Sequence, residues 1–171
     1  EVGYVYSRVV STSWPDGSTA LYYGFVAGGH YTHTGGGYNY VCMHPEPQFP
    51  DGFDDGDQNG NLLYGTEYED TGAVDANHDG DAACAVCLTS STYVYVQWGR
   101  NTCSNEHVTE YTGLVMGSHY TQTKSSTICV DVERAIHSDS GAGDENGALL
   151  YSTEMEGGSS DEAVYPHNRE V

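Results

Sequence analysis

Short runs of aromatic and β-branched residues, broken by Gly, Asn, Asp and Ser, make up most of the chain, and their apolar positions do not recur at helical spacing. The densest run, Tyr93-Val94-Tyr95-Val96-Gln97-Trp98, predicts a strand. A related strand is expected over Tyr6-Ser7-Arg8-Val9-Val10-Ser11-Thr12-Ser13-Trp14. Asn59-Gly60 ahead of Leu62-Leu63-Tyr64 reads as a turn feeding a strand. Helical candidates are few, and the best, Val130 to His137, is short. The expected fold class is therefore all-β, rich in strand with little helix.

The patterning also repeats. Leu21-Tyr22-Tyr23-Gly24-Phe25-Val26-Ala27-Gly28-Gly29-His30-Tyr31-Thr32 returns as Glu110-Tyr111-Thr112-Gly113-Leu114-Val115-Met116-Gly117-Ser118-His119-Tyr120-Thr121, so that His119 follows His30 by 89 residues. Asn59-Gly60-Asn61-Leu62-Leu63-Tyr64-Gly65-Thr66-Glu67 returns as Asn146-Gly147-Ala148-Leu149-Leu150-Tyr151-Ser152-Thr153-Glu154, and Cys42 as Cys129, both 87 residues on. The two-residue difference falls in the loop Gly35-Gly36-Gly37 of the first copy. Two tandem β repeats, 1–90 and 91–171, are expected to share one compact core about a pseudo-twofold axis. Trp14 then stands where the second copy has Cys103.

Composition narrows the partners. Of 171 residues, 25 are Asp or Glu and 5 are Lys or Arg, a formal net charge of −20, which leaves no cationic cluster to neutralise phosphates. Nucleic acid and anionic membranes are excluded; divalent cations and neutral glycans remain. No apolar run approaches the ~20 residues of a membrane helix, so membrane insertion is not expected. Fifteen Tyr and 22 Gly suit strands joined by tight turns. The chain opens at Glu1 without Met or a signal-like segment, as expected of a processed mature chain. Five cysteines (Cys42, Cys84, Cys87, Cys103 and Cys129) in so acidic a chain point to disulfides, an oxidising compartment and a secreted, extracellular location. Their connectivity is not deducible, and the odd number leaves at least one thiol free or paired elsewhere.

Several blocks, in order, resemble the non-collagenous domain of the short-chain, spongin-like collagens and related secreted invertebrate proteins. They are His30-Tyr31-Thr32-His33-Thr34-Gly35-Gly36-Gly37, Tyr64-Gly65-Thr66-Glu67-Tyr68-Glu69, Cys84-Ala85-Val86-Cys87 and Trp98-Gly99-Arg100-Asn101-Thr102-Cys103. The resemblance implies an extracellular protein without a catalytic assignment. It also implies a Cys where Trp14 stands and a second Cys-x-x-Cys closing the second copy, hence a chain continuing a few residues past Val171 to supply disulfide partners. No Gly-X-Y tract is present, so a collagenous role does not carry over.

Candidate chemistry centres on the acidic turns. Asp55-x-Asp57-x-Asn59-Gly60 and Asp75-x-Asn77-x-Asp79-Gly80-Asp81 have the oxygen spacing and turn glycine of calcium loops, although Thr66 and Val86 stand where a helix-loop-helix site has Glu. The alternative is that these Asx-Gly turns only reverse the chain. A weaker copy is Asp144-x-Asn146-Gly147. His30-x-x-His33 could hold a transition metal only from a loop, since i and i+3 diverge on a strand; His119, the counterpart of His30, argues for a structural hydrogen bond across the core instead. Tyr31, Tyr38 and Tyr40 beside the glycine loop could stack on a sugar or a planar pigment, or simply pack between strands. Cys84-x-x-Cys87 with Cys103 and Cys129 could be four zinc thiolates, but structural disulfides suit the composition better.

No paired carboxylate, nucleophile–base pair or phosphate loop stands out, and Asp139-Ser140-Gly141 lacks the flanks of a serine protease. The expectation is a non-enzymatic, lectin-like domain that binds carbohydrate or extracellular matrix with calcium, with self-association left open. The alternatives are a carrier of a small chromophore or metal ion, and a structural matrix protein.

Overall fold

The computed structural model describes residues 3–9, 17–52, 56, 60–69, 77–140, 143–156 and 169–171. Among the described residues, ten strands run in chain order: β1 Tyr4–Val9, β2 Ser18–Gly28, β3 Val41–Met43, β4 Tyr64–Tyr68, β5 Ala83–Thr89, β6 Gly113–Gly117, β7 Ile128–Asp131, β8 Ala148–Ser152, β9 Glu154–Met155 and β10 Arg169–Glu170. Among the described residues there is no α-helix, and the all-β class holds.

Seven strands close a mixed barrel in the order β2-β4-β8-β6-β7-β1-β5, with β5 returning to β2 and β3 added alongside β2. Two contacts are parallel, β4 with β8 and β1 with β7, and the rest of the ring is antiparallel. Closure removes the open edges that a flat sheet of this length would expose. Val9, Val26, Tyr68, Ala82, Cys84, Met116, Val130 and Leu150 fill the interior, with Tyr40, Cys42, Leu114 and Ile128 packed against them. β5 lies between β1 and β2 and carries small residues: Ala83, Cys84, Ala85 and Cys87. Its neighbours bring the bulk, so large and small side chains interleave across the wall.

The repeated sequence blocks form matching ladders. Phe25, Val26 and Ala27 pair with Met43, Cys42 and Val41, and Leu114, Val115 and Met116 pair with Val130, Cys129 and Ile128 in the same register. Ala27↔Gly65 and Gly28↔Tyr64 likewise correspond to Met116↔Ser152 and Gly117↔Tyr151. A twofold axis perpendicular to the sheet between β4 and β8 would make that junction antiparallel, whereas it is parallel. Around the ring the strands of 1–90 form one continuous arc, β1-β5-β2-β4, and those of 91–171 the other, β8-β6-β7, the two arcs meeting at β4–β8 and β7–β1.

Two local expectations fail. Tyr93-Val94-Tyr95-Val96-Gln97-Trp98 is not a strand: no neighbour pairs with it, and Trp98 is 52% exposed. Without a partner its backbone has no ladder, and left-handed turns at Gly99, Asn105 and Glu106 fold the segment into an irregular loop. Val130 to His137 is not helical, because Val130 and Asp131 end β7 and Ile136 bridges to Ala82. The strand expected after Asn59-Gly60 does form, as β4, beginning at Tyr64.

The β1–β7 junction has a single paired position, Val9↔Val130. Beside it, buried Arg8 on β1 forms an ion pair with buried Asp131 on β7, and the guanidinium lies 4.9 Å from the centre of the Tyr111 ring. Removing one member of such a pair strands the other charge in the interior. Asp131→Ala is therefore expected to lower the unfolding free energy in urea by ~3–5 kcal/mol, and Arg8→Met with Asp131→Leu to cost much less. Equal losses in the two variants would mean that the seam depends on something other than the charge pair.

Candidate functional site

Strand alternation sets Glu67 and Glu69 on one side of the end of β4. Glu67, 3% exposed, accepts the N–H groups of Glu145 and Asn146 at 3.1 Å each, which draws the turn 144–147 of the second half onto β4. Asn146 can take this place because Asn tolerates its left-handed φ of 50°. Ligand oxygens of Glu67, Glu69 and Asp144 converge within 4.8 Å of one another, and those of Glu69 and Asp79 meet a ring nitrogen of His78 within the same limit. His78 Nδ1 lies 2.8 Å from Asp79 and Nε2 3.9 Å from Glu69.

This corner is electrostatically loaded. Burial pushes the Glu67 carboxyl above the ordinary range, the neighbouring Asp81 and Asp144 add to the shift, and the two backbone N–H groups oppose it. Burial also raises Glu69, with His78 opposing and Asp79, Glu67 and Asp144 reinforcing. Oxygen donors packed at this density suit a hard divalent cation.

The calcium candidates are thus only partly gathered. Asp55, Asp57, Asn59 and Asp75 lie outside the described residues. Asp79 joins the corner, Asp81 adds charge beside Glu67, and the carbonyl of Asn77 accepts the Gly80 N–H at 3.0 Å to close the turn. The residues that converge most closely, Glu67 and Glu69, were not nominated from spacing. Their i, i+2 placement in Tyr64-Gly65-Thr66-Glu67-Tyr68-Glu69 was the available signal.

The histidine and tyrosine candidates surround a second, small depression of about 90 Å³ lined by His30, Tyr31, His33, Tyr38 and Tyr40. This is well below the ~300 Å³ at which pockets for small organic ligands begin. His30 and His33 stack face to face, ring centres 4.5 Å apart, with Tyr64 edge-on to both. Stacked imidazoles aim their nitrogens along parallel planes, not at a common point, and the pair belongs to none of the convergent groups. Tyr40 is structural: its hydroxyl donates to the Leu149 carbonyl at 2.7 Å and lies 2.9 Å from Ser125 Oγ, and burial raises its pKa to about 12. Tyr38 is exposed, its carbonyl accepting from Ser126 N–H.

His30 and His119 serve their own turns instead of bonding across the core. In each, Nδ1 accepts the N–H of the Thr two residues on, at 3.2 Å in His30 and 3.3 Å in His119, and a β-turn closes from the residue after that, His33 or Gln122. Both rings also rest on the corresponding tyrosines, Tyr64 and Tyr151. The acceptor role requires a neutral ring with its proton on Nε2.

Of the cysteines, Cys42 and Cys84 form a disulfide across 42 residues of sequence, while Cys87, Cys103 and Cys129 are free. With Cys84 so engaged, a four-thiolate zinc site is ruled out. A wider opening lies elsewhere, a cleft of about 940 Å³ between β6 and the loop 91–112. Tyr95, Trp98, His107, Tyr111 and Cys129 line it, and the sequence nominated none of them as ring or pocket residues.

No family model matches the chain, and neither the curated proteins nor the solved structures hold a match to it.

His30 supplies a pH test of the turn geometry. Burial, then the neighbouring His33, lowers its proton affinity below the ordinary value of 6.5. Its contribution is fully present above that value and is lost as pH falls, because the unfolded chain takes up the proton first. His30→Asn keeps an acceptor for the turn but does not titrate. Urea denaturation is expected to show native-like stability for this variant at pH 7.5 and a shallower loss on acidification to pH 5 (values on the order of the unperturbed His range). An unchanged slope would refute the assignment.

Proposed function

We propose that this chain is a secreted, non-enzymatic recognition domain, built from two copies of one unit and related to the spongin-like non-collagenous domains, in which a divalent cation binds at the acidic corner. The observation that carries the reading is the convergence of Glu67, Glu69 and Asp144 from the two halves of the chain. A cation there offsets the burial and the lesser like-charge repulsion that raise both glutamates, and it ties the turn 144–147 to the end of β4. Calcium is the favoured ion, because all three donors are carboxylates. The Cys42–Cys84 disulfide supports an oxidising location. With a formal charge of −20, neutral glycans or matrix components are the partners that the surface admits.

The corner also sets a pH dependence. Carboxyls raised above their unfolded value of 4.5 favour folding most below that value, and the benefit is lost as pH rises through the folded value. Bound calcium removes this loss. Calorimetric titration at neutral pH is expected to show one calcium site, a rise in Tm with calcium that is larger at neutral pH than near pH 4.5, and loss of both in Glu69→Gln. Many weak sites that survive Glu69→Gln would favour a structural matrix protein over a recognition domain. Glycan-array binding that EDTA leaves unchanged would detach recognition from the cation.

A further inference from the structure

The negative charge of the chain is unevenly spread. Of the 25 Asp and Glu, none falls within residues 17–45 or 111–130, and the second of these stretches holds Lys124, the only lysine. The fold brings the two stretches together beyond the ends of β2 and β6. The Tyr31 carbonyl accepts the Thr123 N–H at 2.9 Å, the Tyr38 carbonyl accepts the Ser126 N–H at 2.8 Å, and Tyr40 N–H donates to Ser126 Oγ at 3.3 Å. Lys124 is thus anchored from both sides against the loop 29–40.

The two loops correspond in the repeat but differ in chemistry. Thr34 and Thr123 occupy equivalent places; Gly35-Gly36-Gly37 follows the first and Lys124 the second. Gly36 takes a left-handed φ of 91°, and Asn61 Oδ1 accepts the Gly37 N–H at 2.7 Å, which fixes the shape of the glycine loop. Between the loops lies the depression of about 90 Å³, bordered by Thr34, Gly35, Gly36, Ser118 and Lys124, with exposed Tyr38 beside them. Among the described residues no carboxylate lines it.

Its donors are unused. Among the described residues the Lys124 ammonium makes no ion pair or hydrogen bond, and the N–H groups of Gly35 and Gly36 and the Thr34 hydroxyl likewise have no partner. Ser118 Oγ accepts the Ser125 N–H at 3.2 Å and keeps its own proton to donate. An ammonium that meets none of 25 carboxylates, beside successive unengaged N–H groups of a turn, makes a concavity suited to an anion. The volume is that of roughly three waters, enough for one tetrahedral oxyanion and too small for a sugar ring.

We propose that this depression binds a single sulfate monoester group between Lys124 and the N–H groups of Gly35 and Gly36, with the sugar that carries the sulfate resting on Tyr38. A sulfate ester bears one negative charge, whereas a phosphate ester bears about −1.5 to −2 at neutral pH, and a chain of net charge −20 opposes the second charge. The same field keeps a polysulfated chain from lying across the acidic remainder of the surface. One isolated sulfate on an otherwise neutral glycan is the partner that fits. The choice of a glycan as carrier rests on the reading of the chain as a recognition domain; the oxyanion site itself does not.

The isotope-labelled full chain, free of calcium, is titrated at neutral pH and constant ionic strength with sodium sulfate, monosulfated N-acetylglucosamine, its monophosphorylated counterpart or the unmodified sugar. Sodium sulfate and the sulfated sugar are expected to move the amide resonances of Gly35 and Gly36. The sulfated sugar is expected to bind about tenfold more tightly than the unmodified one, and more tightly than the phosphorylated one. Lys124 is exposed, so Lys124→Gln leaves the fold intact and is expected to weaken sulfate binding about tenfold, the loss of one charge-assisted bond. A Cβ on Gly35 meets nothing within 4 Å, so Gly35→Asp sets a carboxylate at the site without a clash and is expected to abolish binding. Resonance shifts confined to other parts of the chain, equal affinity for the unmodified sugar, tighter binding of the phosphorylated one, or unchanged affinity in either variant would overturn the proposal. Sodium sulfate moving these amides while the sulfated sugar does not would overturn the glycan as carrier. Because calcium is absent, none of these outcomes depends on the acidic corner.

Discussion

The barrel depends on one seam. Of its seven junctions two are parallel, and one of these, β1 with β7, has a single paired position. Parallel neighbours cannot be joined by a tight turn, and the two segments lie far apart in the chain, at 4–9 and 128–131. The buried pair Arg8–Asp131 supplies directional contact where the ladder supplies little, and its charges are tolerable there only because each satisfies the other. Asp131 also accepts the Glu133 N–H, so the same carboxylate closes the ring and ends β7.

Closure at that seam brings β4 against β8, and this contact creates the acidic corner. Glu67 meets the 144–147 turn because β8 runs beside β4 in register, Thr66 with Ala148 through Tyr68 with Leu150. The cluster is thus a property of the barrel and not of any one loop. It accumulates negative charge at a place where strand packing already restricts water, and both glutamates hold protons more tightly as a result.

The wall is uneven. One half of the chain covers its central strand with β5, whereas the corresponding strand of the other half faces a wide cleft roofed by a loop with exposed Tyr93, Tyr95 and Trp98. Aromatic and β-branched residues with no ladder to join remain at the surface. This explains why the most strand-like run in the sequence is the one that forms no strand.

The sequence by itself determined the all-β class, the internal correspondence and the turns. Those follow from short-range chemistry: β-branched and aromatic residues favour extended backbone, Gly and Asn accept left-handed φ, and recurrent blocks fold into recurrent ladders. It also nominated Asp79 and Asp81, and the weaker 144–147 turn, as cation-loop residues, though it missed Glu67 and Glu69, which the structure brings beside them. Tertiary structure alone decided which strands close the ring, that Cys42 bonds Cys84 while Cys129 stays free, that β1 has no counterpart at Tyr93 to Trp98, and that His30 and His119 cap their own turns. Each of these is set by what lies across a junction between segments far apart in the chain, and no spacing along the sequence reports which partner a strand edge, a thiol or a buried charge will meet.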